Sequence, residues 1–133
     1  MKKTIIFITI LLLLFLIGCG TNNSHYKSQY KAVGLLRKST SNNYSISFKK
    51  LEGTMVLKLN CSSDDSKIIC SLKLEEGNAK IYYDINDTKT ELTTLNSKSN
   101  ENLTIENIHK GTTYIIIETS EICKNGVFTF DIK

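Results

Sequence analysis

From Tyr44 to the C-terminus the chain alternates apolar and polar residues, and no segment there carries a helical period of useful length. A period of two sends successive side chains to opposite faces, so each such run is a half-buried strand. Tyr44, Ile46 and Phe48 share one face; Met55, Leu57, Leu59 and Cys61 share one face, with Val56, Lys58 and Asn60 opposite. The pattern resumes with Ile68, Cys70, Leu72 and Leu74, then with Ala79, Ile81, Tyr83 and Ile85. A weak strand follows at residues 91–95, another around Leu103 and Ile105, and a more continuously apolar one at residues 112–119. Phe128, Phe130 and Ile132 alternate with polar neighbours in the last, after an expected turn at Asn125-Gly126. Ala32 to Lys38 holds a short apolar cluster that reads equally as a strand or a helical turn. About seven or eight short strands with turn signals between them predict an all-β fold, a small antiparallel β-sandwich.

The segment Gly111-x-Thr113-Tyr114-Ile115-Ile116-Ile117, a loop, and then Gly126-Val127-Phe128-Thr129-Phe130-Asp131-Ile132 resembles the closing hairpin of secreted jelly-roll and galactose-binding-like modules. The resemblance is one of pattern over roughly the last sixty residues and implies a jelly-roll-like sandwich. It assigns no functional residue.

The N-terminus has a different organisation. Lys2 and Lys3 precede an apolar run from Ile5 to Ile17, interrupted only by Thr9. As a helix this run spans roughly 20 Å, short of the roughly 30 Å hydrocarbon core. It ends in Leu16-Ile17-Gly18-Cys19, which resembles the lipobox of bacterial lipoprotein precursors. The resemblance implies cleavage between Gly18 and Cys19 and a diacylglyceryl thioether, with palmitate-type chains, on Cys19. The membrane partner is then reached through lipid, which anchors stably when two or more chains insert. The expected organisation is a signal peptide at residues 1–18, lipidated Cys19 with a flexible tether at residues 19–31, and a β-sandwich domain at residues 32–133. The expected location is the extracytoplasmic side of a bacterial cell membrane.

Removing 18 of the 133 residues leaves 115, enough for one domain with a core. Losing Lys2 and Lys3 lowers Lys+Arg from 17 to 15 against 13 Asp+Glu, a near-balance that argues against a nucleic-acid partner. The basic pairs Arg37-Lys38 and Lys49-Lys50 read as solvated positions. Asn-x-Ser/Thr triplets, as at Asn22, Asn43, Asn60, Asn86 and Asn102, follow from the abundance of those residues.

Three cysteines remain beside Cys19. If residues 55–61 and 68–74 form a hairpin, placing Cys61 opposite Cys70 also places Leu59 opposite Leu72 and Leu57 opposite Leu74. An exported chain can keep disulfides, so this register predicts a Cys61–Cys70 bridge. Cys123 is then an unpaired thiol, and three scattered cysteines make no zinc site. His25 falls in the tether and His109 beside a turn glycine; neither belongs to a nucleophile motif. Asp84, Asn86, Asp87 and the pair Asp64-Asp65 are oxygen donors without complete calcium-loop spacing, and read as turn residues. No metal or cofactor is expected. Tyr82 is the candidate contact residue: with Ile81 and Tyr83 facing the core, it points outward between Lys80 and Asp84, where an aromatic ring can meet a glycan or protein partner at the cell envelope. The chain therefore reads as a membrane-anchored, non-enzymatic binding module. A structural or accessory subunit of an envelope complex ranks second, and a small hydrolase third.

Overall fold

A computed structural model describes residues 26–133. The lipobox, with Gly18 and Cys19, and His25 lie outside the described residues. Nine strands follow in order: β1 (Gln29–Val33), β2 (Leu36–Ser39), β3 (Asn43–Cys61), β4 (Ser66–Glu76), β5 (Ala79–Ile85), β6 (Thr88–Leu95), β7 (Ser99–Ile108), β8 (Gly111–Thr119) and β9 (Cys123–Ile132). Every pairing is antiparallel. The fold is an all-β antiparallel sandwich in which one long strand serves both layers.

That strand is β3. Its first part, residues 43–51, pairs with β9 on one side and β2 on the other. Its second part pairs with β8 over residues 54–61 and with β1 over residues 50–54. The other strands follow the same division. β9 and β8 continue one another along β3, β4 and β5 continue one another along β9 and β8, and β7 and β6 complete the outer edge. The molecule is thus five long ribbons side by side, folded once along a common crease. The front half contains β1, the end of β3, β8, β5 and β6. The back half contains β2, the start of β3, β9, β4 and β7. Residues from both halves form one core, including Met55, Leu57, Ile81 and Ile115 from the front and Ile46, Leu72, Phe128 and Phe130 from the back.

Each central ribbon shifts the parity of its buried positions where it crosses the crease. On β3 the buried positions pass from Phe48 to Leu51, leaving Lys49 and Lys50 both exposed. On β4 they pass from Leu74 to Gly77 across exposed Glu75 and Glu76, and on β9 from Gly126 to Cys123 across Lys124 and Asn125. These breaks are in register, with Phe48 opposite Gly126, Gly126 opposite Leu74, and Leu51 opposite Cys123. Asn125 takes a left-handed φ of 53°. The expected turn at Asn125-Gly126 is therefore a kink inside β9, and the chain does not reverse there.

Short polar side chains and a backbone hydrogen bond stitch the crease. Gly53 N–H donates to Thr119 Oγ1 at 2.7 Å, and Gly77 N–H to Ser97 Oγ at 3.2 Å. Ser120 N–H donates to the Asn78 carbonyl at 3.1 Å, as does Cys123 Sγ at 3.4 Å. Gly77, at φ 107°, lies directly on Cys123: an added Cβ would stand 2.8 Å from Cys123 Cα. Gly53, at φ 112°, is as tightly placed, with a Cβ falling on the Gln29 carbonyl oxygen.

Two further expectations are corrected. The Cys61–Cys70 bridge required β3 and β4 to pair, but β3 ends in the front half and β4 begins in the back half. Cys61 stands opposite Gly111, Cys70 stands between Leu103 and Phe130, and Cys61, Cys70 and Cys123 are all buried free thiols. The flexible tether at 19–31 is also too long. Gln29, Tyr30 and Lys31 pair with Thr54, Gly53 and Glu52, because the edge of β3 offers backbone partners that β8 does not use. The ambiguous cluster at 32–38 is the end of β1 and most of β2, separated by Gly34 and Leu35.

Gly77→Ala should lower the stability of the fold by at least about 2 kcal/mol, since both φ and the Cys123 backbone oppose a Cβ. Thr113 faces the core with its hydroxyl buried and unpartnered. Thr113→Val should raise stability by about 1 kcal/mol. Urea unfolding midpoints test both.

Candidate functional site

The outer face of the front half carries the polar residues that alternate with the core-facing ones. Register sets them in rows: Lys89, Asp84, Tyr114 and Lys58; then Glu91, Tyr82, Ile116 and Val56; then Lys80, Glu118 and Thr54. Tyr82 therefore points outward, half-buried, between Lys80 and Asp84 on its own strand. The Lys89 ammonium sits 4.2 Å from the centre of its ring. The same ammonium lies 2.6 Å from Glu118 Oε1, which fixes the cation in place. Lys89 and Glu118 were not singled out from sequence. They meet Tyr82 because β6 and β8 flank β5 on either side, a pairing that no local pattern encodes.

A strap formed by residues 26–28 crosses this face. Ser28 Oγ accepts a hydrogen bond from Val56 N–H at 2.9 Å and continues the β1 edge. Tyr26 then stacks obliquely on Tyr114, with ring centroids 5.5 Å apart, and donates its hydroxyl to Asp84 Oδ2. Beneath and beside the strap, Asp84 is only 4% exposed and Ile116 only 1%, although both lie on the outer face. The hydrogen bond to Asp84, reinforced by burial and by the negative charge of Asp84, pushes the Tyr26 hydroxyl up to about 12. Asp84 is thus engaged in holding the N-terminal segment. Asn86 and Asp87 form the two-residue β5–β6 turn with φ of 65° and 61°, the left-handed geometry of a tight hairpin. Among the described residues no group of three His, Cys, Asp or Glu side chains is placed to hold a metal ion.

The remaining candidates are dispersed. His109 is exposed on the connection before β8, where Lys110 N–H donates to Asp64 Oδ1 at 2.9 Å. Cys123 is at the crease, opposite Leu51, whereas the strand following His109 starts opposite Cys61. Ten residues of β3 separate those two positions, about 30 Å of extended chain, so His109 and Cys123 do not form a pair. Burial raises the Cys70 thiol to about 12; burial, followed by the charge of Glu121, raises Cys123 to about 11. These are poor nucleophiles, because the reactive species is the thiolate.

No protein-family model and no curated protein sequence matches the chain. Solved structures share part of its outline. The pre-peptidase C-terminal domain of collagenase from Bacillus anthracis aligns at 17% identity over 69% of this chain and 90% of that one, with a TM-score of 0.45. TmCBM61, solved with β-1,4-galactotriose, aligns at 12% identity over 74% and 69%, with a TM-score of 0.43. The carbohydrate-binding module CBM6cm-2 of Cellvibrio mixtus lichenase 5A, solved with cellotriose, aligns at 12% identity over 77% and 88%, with a TM-score of 0.39. At these scores the likeness does not reach to a shared site.

The buried thiols generate a prediction. Folding holds Cys70 and Cys123 protonated beyond the ordinary thiol value of 9.0, so unfolding releases protons above that pH. Their contribution to stability is complete below about pH 9 and is lost as pH rises towards 11 to 12. The urea midpoint should therefore fall between pH 8.5 and 10.5, and fall less in Cys70→Ala relative to its own value at pH 8.5. A thiol-reactive dye at neutral pH should label none of Cys61, Cys70 and Cys123 in the native protein and all of them after denaturation.

Proposed function

We propose that this protein is a lipid-anchored, extracytoplasmic binding module that takes a glycan on the outer face of its front half-sheet, without catalysing a reaction on it. The observation that carries the glycan reading is the Tyr82–Lys89–Glu118 group. A pyranose ring presents apolar C–H faces and equatorial hydroxyls. Tyr82 offers an aromatic surface for the first, and an ammonium and a carboxylate offer a donor and acceptors for the second. The 4.2 Å and 2.6 Å contacts set the group before any ligand arrives, which reduces the entropy lost on binding. Non-catalytic action agrees with the engagement of Asp84 by Tyr26, the dispersal of His109 and Cys123, and the strongly raised thiols.

Anchoring through Cys19 is supported by the chain itself: a basic start, a short apolar run and Leu16-Ile17-Gly18-Cys19 in sequence. The lipid would hold the domain at the bacterial cell membrane, facing outward. Intact mass of the N-terminal peptide should show a diacylglyceryl cysteine at position 19, and Cys19→Ala should abolish incorporation of labelled palmitate.

Calorimetric titration of the purified protein against a panel of cell-wall oligosaccharides tests the glycan reading. At least one should bind, and Tyr82→Ala should weaken it at least tenfold while leaving the far-ultraviolet spectrum unchanged. Glu118→Gln should weaken it less, by releasing Lys89. Absence of binding across the panel, or binding indifferent to Tyr82→Ala, refutes the assignment of this face.

A further inference from the structure

The basic residues before Glu52 are unlike the rest of the chain. Residues 1–51 contain no Asp or Glu, whereas residues 52–133 contain all 13 acids against nine Lys+Arg. After the lipobox, the acid-free stretch carries Lys27, Lys31, Arg37, Lys38, Lys49 and Lys50. All six are exposed. None takes part in the ion pairs formed between described residues, which join Lys67 to Glu106, Lys89 to Glu118, Lys124 to Glu76 and Lys133 to Asp131. The fold gathers the stretch at one edge. β1 and β2 both lie against β3, with Val33 opposite Lys50 and Leu36 opposite Ser47. The Lys49 stem packs on Gly34, 3.0 Å from where a Cβ would stand. Arg37 lies over the Tyr30 ring, 5.6 Å from its centre. Glu52, opposite Lys31, is the one carboxylate in register with these two strands.

At the tip between β1 and β2, Leu35 packs against the core while Val33 and Leu36 turn outward, 56% and 64% exposed. Lysines on an edge strand oppose pairing with another chain, but that role gives no reason for two exposed aliphatic side chains among them. An apolar tip with a cationic rim has the chemistry of an interfacial membrane contact: the aliphatic groups enter the headgroup–acyl boundary and the long basic side chains reach lipid phosphates. The reach is adequate. Tyr26 follows Cys19 by seven positions, a span of at most about 25 Å, and Val33 follows Tyr26 by seven more.

We propose that the Val33–Leu36 tip, with Lys31, Arg37, Lys38, Lys49 and Lys50 around it, seats directly on an anionic lipid bilayer. The contact is separate from the Cys19 lipid, and it rests on the anchored reading only in that the anchor brings the bilayer within reach. It turns the tether into a two-point attachment and gives the domain a fixed orientation. The two basic pairs read from sequence as solvated positions become, on the folded edge, one surface.

The chain contains no tryptophan, so Leu36→Trp places a single reporter at the tip of the full-length protein. The protein is reconstituted into phosphatidylcholine vesicles with or without about one-third phosphatidylglycerol. Emission should be blue-shifted and quenched by brominated lipid in the anionic vesicles only. It should return to the phosphatidylcholine value in about 1 M salt, where the screening length is about 3 Å, and in Lys31→Gln/Lys38→Gln/Lys49→Gln/Lys50→Gln. Ile69→Trp, at an exposed position on β4, which β3 and β9 separate from β2, should emit alike in both vesicles. Equal emission from Leu36→Trp in the two vesicle types overturns the proposal. A blue shift that depends on protein concentration and not on lipid overturns it in favour of a second copy at this edge, and one produced equally by soluble polyphosphate overturns it in favour of an anionic polymer. The N-terminal peptide mass from the same preparation reports Cys19 acylation separately, so failure of the anchor and failure of the tip are distinguishable.

Discussion

The crease is the constraint on which the rest of this structure depends. Ribbons long enough to serve two layers bury both halves of one core only if their apolar side chains stay on the concave side through the bend, so a shift of parity in one ribbon must fall at the same line in its neighbours. β3, β9 and β4 shift together by leaving two consecutive residues exposed: Lys49-Lys50, Lys124-Asn125 and Glu75-Glu76. A single ribbon breaking elsewhere would send its apolar set to solvent on one side of the fold, since a one-residue slip moves every side chain to the opposite face. Bending also deprives backbone groups of ladder partners, and buried groups without partners are costly. Thr119, Ser97 and Ser120 supply those partners. Cys123 belongs to this arrangement: its small side chain fits beneath Gly77 and donates to the Asn78 carbonyl. The thiol that had no role in a motif has one in packing.

The strands were legible in the sequence because alternation is a local property. Tyr44 to Phe48, Met55 to Cys61 and Ile68 to Leu74 each read correctly as to face. Partnership was not legible, and the Cys61–Cys70 bridge shows why. Matching Leu59 with Leu72 and Leu57 with Leu74 tests only whether two strands both have an apolar face. Strands stacked across a core satisfy that test as well as strands joined side by side, and the short polar link at residues 62–65 serves a crossing between layers about 10 Å apart as readily as a hairpin. The deciding partner, β9, lies some sixty residues downstream, where no short-range signal reports it. The inversion from Phe48 to Leu51 was present as a change of parity, but a lone parity change is indistinguishable from an ordinary loop until three such changes line up.

The outer face of the front half repeats the lesson. Tyr82 was placed by its own strand, since Ile81 and Tyr83 dictate where it points. Lys89 and Glu118 needed the pairing of β5 with both β6 and β8. Tyr26 was the hardest to see. It stands in a polar stretch that lacks periodicity, so its ordering comes from tertiary contacts alone: a ring for Tyr114 and a hydroxyl for a carboxylate buried at 4% exposure. Asp84 in turn looked like turn chemistry or a calcium donor, because from sequence an acid at a strand end is assumed to face water.

The strap and the basic edge together bear on how an anchored domain would be held. A flexible tether leaves a module free to rotate, so that any face can meet the membrane. Here the strap of residues 26–28 runs along the front half before the chain enters β1 at the edge of β3. The position of Tyr26, over β5 and β8, is therefore set by the fold. The crease has a polarity of its own, from Lys49 and Lys50 on β3 through Lys124 on β9 to Glu75 and Glu76 on β4, so opposite ends of one line carry opposite charge. An anionic surface attracts the first end and repels the second, and the two effects turn the molecule the same way. Seating at β1 and β2 would then leave β5 and β6, with Tyr82 and Lys89, on the side farthest from that edge in the front half-sheet. A contact face held away from the bilayer is open to ligands from the cell envelope, and the geometry that separates the two surfaces is the strand order itself.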